Sequence, residues 1–203
     1  MVMKISPNTF LIVSEIVGDL LKITNQWVFE SFSFALKIAN VITNLTLREE
    51  NVVKLLQSNE TFDVVVLEGF ASESLFGIAN HFNASVVILT TTIAPFYISE
   101  KMGAPVPLSH VPHIYLPYTD HMNFLERSHN LLLSFLEKFY YYYTYFPQQE
   151  ELYNNIFPDP KPPLKELHKN VSLVLANNHF AITYPRPFGV NIGRDCRPTY
   201  PNG

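Results

Sequence analysis

A carboxylate and a run of threonines are the residues of this chain best placed to do chemistry. Glu68 closes the apolar run Phe62–Leu67, and Thr90–Thr92 close a second run, Val86–Leu89. A side chain at the carboxyl end of a buried parallel strand borders the crevice in which open α/β sheets bind ligands. There a carboxylate can orient an imidazole and stabilise the imidazolium formed when a hydroxyl loses its proton. The pattern alone favours the plainer reading, a strand-end carboxylate exposed to water. His110, His113 and His121, with Asp120, raise a second chemistry, because His-x-x-His places two imidazoles close together, as a metal site needs. That segment is rich in proline and has no helical period, so we expect surface or pocket-lining histidines and no metal. His81 and His179 read as packing or capping groups.

Other chemistries find no motif. No G-x-S-x-G elbow is present for a serine hydrolase. Nor is there a G-x-G-x-x-G or P-loop, and the turn Glu68-Gly69-Phe70 puts a negative charge where a phosphate would be repelled. The formal charge of −4 argues against nucleic acid as a partner, since no basic stripe could release phosphate counterions. A single cysteine, Cys196, leaves no intrachain disulfide and no cysteine metal cluster.

The scaffold that must hold Glu68 is written in hydrophobic pattern. Two continuous Val/Ile/Leu runs flank a segment with apolar residues at Leu75, Phe76, Ile78, Ala79 and Phe82. This is the signature of a βαβ unit in a parallel sheet covered on both faces. We expect strands at Val64–Leu67, Val86–Leu89 and Leu173–Ala176, with Ser72–His81 as a crossover helix. The 47% apolar and 16% charged composition excludes a disordered chain. Helical periodicity over 9–43 falls in two pieces that meet near Thr24–Gln26. Thr46-Leu-Arg-Glu49 has the spacing of a capping box and predicts a helix through Val52 and Leu56. Residues 93–118 read as a long ordered loop with one helical turn, which inside a compact domain is usually functional. Asp120 is the expected N-cap of a long helix through Phe124, Leu131, Leu132, Phe135, Leu136 and Phe139 that fades near Pro147. Helices at Gln148–Ile156 and Leu164–His168 come next, and pattern is lost after Pro185.

With 16 phenylalanines and 11 tyrosines the core or a pocket must be strongly aromatic. Phe70, Phe96 and Tyr97 lie near strand ends and either line an apolar pocket or belong to the core. The run FYYYYTYF over Phe139–Phe146 reads as the end of a core helix with its hydroxyls in water, or as a surface that touches a membrane. No apolar run reaches the about 18 residues a span needs, and Phe10–Leu21 is interrupted by Ser14, Glu15 and Asp19, unlike a signal peptide. The sequons at Asn44, Asn59, Asn83 and Asn170 point to glycosylation in a lumenal compartment.

Four segments in series resemble one family. LLQSNETFDVVVLE, FGIANHFNASVVILTT, GAPVPLSHVPHIYLPYTDHMNFLERSHN and KELHKNVSLVLANNHFAITYPRPF are similar, in order and spacing, to the amino-terminal half of animal UDP-glycosyltransferases. The resemblance covers about residues 45–188. It implies a partial Rossmann-like acceptor domain over 1–188, one half of a two-domain (GT-B) enzyme. The implied activity is hexosyl transfer from a UDP-sugar to a small lipophilic hydroxyl acceptor, without metal, at the endoplasmic reticulum lumen or membrane. It also implies that Glu68 stands where the family carries the acidic partner, commonly Asp, of a histidine base. Phe70, Phe96 and Tyr97 would then line the acceptor pocket. The family's first strand with that histidine, its His-Gly-Gly-type donor signature and its membrane span are not found in these residues. The ending GVNIGRDCRPTYPNG reads as a divergent, irregular tail over 189–203. The expectation is a fragment that binds no cofactor, needs UDP-sugar as co-substrate only when complete, and is inactive alone. The alternative is a non-catalytic truncated isoform that binds acceptors or associates with full-length enzymes. An unrelated doubly wound α/β binding protein would account for the βαβ unit only.

Overall fold

The computed structural model describes residues 28–90, 95–176 and 184, and the backbone of 192–194. The helical piece expected over 9–27, Thr91, Thr92, His179 and Cys196 lie outside the described residues. The elements run α1 (Val28–Arg48), α2 (Glu50–Leu56), β1 (Val64–Glu68), a 3-10 turn (Glu73–Leu75), α3 (Phe76–His81), β2 (Ser85–Thr90) and α4 (Phe96–Lys101). Then come α5 (Phe124–Tyr140), a π-helical turn (Tyr141–Tyr145), α6 (Phe146–Ile156), a 3-10 helix (Leu164–Asn170), β3 (Val171–Ala176) and β4 (Ile192–Arg194). The four strands pair in chain order and every pair is parallel. This is an α/β fold with a Rossmann-like parallel sheet. Glu68 pairs with Leu89 at the carboxyl end of β1, and Thr90 pairs with Ala176 at the ends of β2 and β3.

Three expectations about the sheet need correction. The crossover over Ser72–His81 is not one helix: a 3-10 turn precedes the six residues of α3. The sheet is also not covered on both faces among the described residues. Val66, Leu67 and Glu68 alternate across the pleat, so Val64, Val66, Leu89 and Leu175 share an exposed face while Leu67, Val86, Ile88 and Val174 face the helices. Third, 189–203 is not irregular throughout. Ile192–Arg194 extends the sheet beside β3, because pairing with a strand edge satisfies backbone groups whatever the side-chain pattern.

Caps and helix faces also differ from the expectation. Thr46 does not start a helix; it lies inside α1, whose buried stripe Phe32, Leu36, Ala39, Thr43 and Leu47 has helical spacing, and the chain re-enters helix at Glu50. Asp120 does not cap α5. Asn123 does, in a reciprocal capping box in which its side chain accepts from the Glu126 N–H and Glu126 accepts from the Asn123 N–H. The apolar row of α5 faces outward: Phe124, Leu132, Phe135 and Phe139 are 80%, 59%, 58% and 62% exposed. Helical periodicity finds a stripe, but cannot say which side of it the rest of the chain occupies.

Candidate functional site

The turn after Glu68 is held from several sides. Gly69 donates its N–H to the Leu89 carbonyl at 2.8 Å, which brings its Cα against β2. A Cβ there would lie 2.5 Å from Thr90 Cγ2 and 2.7 Å from Ile88 Cγ2, so no other residue fits without movement. Ala71 takes φ +44°, a left-handed conformation uncommon outside glycine. Two buried tyrosines hold it there: its N–H donates to Tyr97 Oη at 2.9 Å, and its carbonyl accepts from the Tyr145 hydroxyl. Ser72 Oγ donates back to the Glu68 carbonyl at 2.9 Å. Glu68 itself is exposed.

Beneath this turn lies a charged core. Glu73 is 2% exposed, and its carboxylate accepts from Tyr141 Oη, from Lys101 Nζ at 3.3 Å and from His168 Nε2. Burial pushes His168 down to about 4, outweighing the pull of Glu73, so the ring is neutral at neutral pH. The charge partner of Glu73 is therefore Lys101, and the histidine contributes a hydrogen bond. Burial also lowers the Lys101 ammonium, with Glu73 opposing it. Nδ1 of His168 is buried without a hydrogen-bond partner. Tyr97 and Tyr141 stack with ring centres 4.7 Å apart, and burial, with Glu73 second, raises both phenols well above their usual range. Both hydroxyls stay protonated; Tyr141 donates to Glu73 and Tyr97 accepts from the Ala71 N–H.

The π-helical turn explains how one helical run supplies Tyr141 and Tyr145 to this core. An extra residue in a turn rotates the rest of the helix about its axis, and such turns often occur at functional sites. Asn130, Ser134, Glu137, Tyr141 and Tyr145 form one inward-facing row along α5 and the turn. Asn130 is fully buried, donates to the Leu108 and Val111 carbonyls and accepts from the His113 N–H. It thereby fixes the loop after α4.

That loop, α1, α4 and α5 enclose a cavity of about 160 Å³ that opens to solvent. Phe70, Phe96 and Tyr97 all line it, and so do His113 and Glu137. His113 Nε2 lies 2.9 Å from Glu137 Oε2, while its Nδ1 accepts from the Tyr115 N–H. Lys138 pairs with Glu100 and lies over the Phe96 ring. Glu68 does not line this cavity. It borders a recess of about 10 Å³ with Gly69, Glu73 and His168, and Tyr97 forms part of both walls.

The sequence grouped Phe70, Phe96 and Tyr97, and the fold brings them together. Glu68 sits beside them rather than among them. Asn44, Asn59, Asn83 and Asn170 are all at least partly exposed; Asn44 lies within α1 and accepts from Arg48, and Asn83 has φ +51°. His110 and His121 are exposed while His113 turns inward. Glu73, Asn130 and Glu137 were not singled out from the sequence, and the tyrosine run read as a helix end with its hydroxyls in water needs correction, since the Tyr141 and Tyr145 hydroxyls are buried and donate to Glu73 and Ala71. For those on the long helix the signal was the i, i+4, i+7, i+11 spacing of Asn130, Ser134, Glu137 and Tyr141, a polar stripe along the same helix as the apolar one, and Glu73 had none.

The family model for "UDP-glucoronosyl and UDP-glucosyl transferase" matches residues 9–201. The chain belongs to this family. The match runs through most of the segment set apart as a divergent tail, in keeping with the pairing of β4. Among curated relatives, UDP-glycosyltransferase UGT4 of Dactylopius coccus is 29% identical over 156 residues, which cover 74% of this chain and 31% of the relative. Human UDP-glucuronosyltransferase 1A9 is 29% identical over 145 residues, 71% of this chain and 27% of the relative. Human UDP-glucuronosyltransferase 1A8 is 29% identical over 178 residues, 82% and 33% of the two chains. This UDP-glycosyltransferase chain thus spans about a third of the length of the curated relatives it matches. No solved structure matches it.

Proposed function

We propose that this chain is the acceptor-holding part of a UDP-sugar-dependent hexosyltransferase acting on small lipophilic hydroxyl compounds. The observation that carries the reading is the aromatic cavity of Phe70, Phe96 and Tyr97 opening beside the carboxyl end of β1, where Glu68 stands. An apolar cavity of about 150 Å³ is enough to take up one benzene ring. In this reading Glu68 orients a histidine base that takes the acceptor's proton, and a second domain holds the UDP-sugar. In this reading both partners are supplied by residues other than those described, and the expected behaviour of the 203 residues alone is acceptor binding without glycoside formation. A carboxylate is by its chemistry a far weaker base than an imidazole, so Glu68 does not take the histidine's place.

The test is a titration of the chain with 4-propylphenol. Phe70→Ala and Phe96→Ala should each weaken binding roughly threefold to tenfold through lost apolar contact. Unchanged affinity in both removes the site. Glycoside formation from UDP-glucose by this chain alone, abolished by Glu68→Gln, would overturn the division of labour.

A second reading is a non-catalytic module that associates with longer enzymes of the family or with a membrane surface at the endoplasmic reticulum. The outward row Leu132, Leu136, Phe139 and Tyr143 on α5 and its π turn supports it. Among the described residues no helix is long and apolar enough to cross a membrane. Co-elution with a full-length family member, or sedimentation with liposomes, should then disappear in Leu132→Glu/Phe139→Glu. Elution as a monomer with no liposome binding in the unsubstituted chain would rule it out.

A further inference from the structure

Most of the cavity wall is hydrocarbon, from Phe32, Leu36, Phe70, Phe96, Val106 and Leu108. Against this wall the polar groups that line the cavity can be sorted by what already holds them. Lys138 is engaged by the Glu100 carboxylate and by the face of Phe96, 5.7 Å away. The His113 ring is saturated: its Nδ1 accepts from the Tyr115 N–H, which assigns the proton to Nε2, and that proton goes to Glu137 Oε2. Glu137 differs. Among the described residues His113 is its one hydrogen-bond partner, while an ionised carboxylate offers about four acceptor positions. Its side chain is 20% exposed, and its neighbour in sequence, Lys138, is committed elsewhere.

We infer that Glu137, held in place by His113, is a specificity-determining acceptor inside this cavity, which selects lipophilic ligands carrying a hydrogen-bond donor and rejects those carrying a carboxylate. The inference rests on the reading of the cavity as a ligand site and adds which polar group the ligand must bring. Placement is a consequence of the packing. Asn130 ties the backbone of His113 to α5, the helix that carries Glu137, so the dyad is built from two elements that cannot shift independently. Phe32 packs edge-on against the His113 ring with centres 6.5 Å apart, closing it from the α1 side. A ligand hydroxyl reaching Glu137 makes a charge-assisted hydrogen bond, one of the stronger polar contacts open to a neutral ligand. An ether of the same shape makes none. A carboxylate meets a like charge. The field of Glu137 reaches across this wall: burial first, and Glu137 second, raise the phenol of Tyr115, which lines the same cavity.

The experiment compares three probes that share a 4-propylphenyl body and differ in the polar group, on the unsubstituted chain: 4-propylphenol, 4-propylanisole and 4-propylbenzoate, each by calorimetric titration at pH 7.5. The phenol should bind about tenfold tighter than the anisole, and the benzoate at least tenfold weaker than the anisole. In Glu137→Leu the phenol should fall to the anisole's affinity with the anisole little changed. In Glu137→Gln, which keeps shape and a neutral acceptor, the benzoate penalty should shrink. Circular dichroism confirms that each variant folds, and the comparison on the unsubstituted chain stands without either variant. Anisole binding with no preference for the phenol would overturn this inference while leaving the cavity a ligand site. Failure of all three probes to bind would overturn the cavity reading itself, and the inference with it. A phenol preference that survives Glu137→Leu would assign the donor contact to another group and also refute it.

Discussion

The hydroxyl of Tyr145 donates to the carbonyl of Ala71, 74 residues earlier in the chain and three past Glu68. With Tyr97 taking the N–H of the same residue, one alanine is clamped on both sides in a left-handed conformation. The strand-end turn that carries Glu68 and Phe70 is thus shaped by side chains from α4 and from the π-helical turn. Tyr145→Phe keeps the ring and leaves a buried carbonyl unpaired. The expected loss is about 1–3 kcal/mol in urea unfolding, together with weaker 4-propylphenol binding through the loosened Phe70. Unchanged stability would show that the contact is not made in solution.

Gly69 supplies the other constraint on that turn. Gly69→Ala places a methyl against the β-branched side chains of Ile88 and Thr90, which have little rotamer freedom to yield. Overpacking of this kind costs about 1–3 kcal/mol. Because the clash lies on the β2 side, the loss should appear as a lower unfolding midpoint. A midpoint equal to that of the unsubstituted chain would mean the strand end is more plastic than its packing indicates.

Glu73, buried, and Lys101, part-buried, form an ion pair, which makes single and double substitutions behave differently. Glu73→Ala leaves the part-buried Lys101 ammonium without its carboxylate and removes the acceptor of Tyr141, at a cost of about 1–3 kcal/mol. Replacing both charges, as in Glu73→Leu/Lys101→Met, removes the desolvation penalty as well as the attraction. The double variant should be more stable than Glu73→Ala. A double-mutant cycle giving strict additivity would show that the two groups do not interact.

His168 predicts a pH dependence with a definite sign. Its folded value of about 4 lies below the ordinary 6.5, so between these pH values the unfolded ring binds a proton that the folded ring refuses. The associated stability is fully present above pH 6.5 and is lost as the pH falls towards 4, on the order of 3 kcal/mol in all. Urea midpoints measured from pH 7.5 to 4.5 should fall, and His168→Gln should fall less steeply over the same interval. Parallel curves for the two proteins would refute the assignment to His168.

Sequence alone determined the parallel sheet and its first three strands, because unbroken runs such as Val64–Leu67 and Val86–Leu89 leave few other structures able to bury them, whereas β4 carries no such run. It also placed Glu68 at a strand's carboxyl end and grouped Phe70, Phe96 and Tyr97, through their positions relative to the βαβ unit. Helix orientation was beyond its reach. Along α5 an apolar stripe and a polar stripe coexist, and local periodicity treats the apolar one as the core. Tertiary structure turned Asn130, Glu137, Tyr141 and Tyr145 inward instead, because partners distant in sequence satisfy their polar groups: the loop carbonyls, His113, Glu73 and Ala71. A buried polar side chain is tolerated only where such partners converge, and convergence over 19 to 74 residues is a property of the folded chain, not of any window along it.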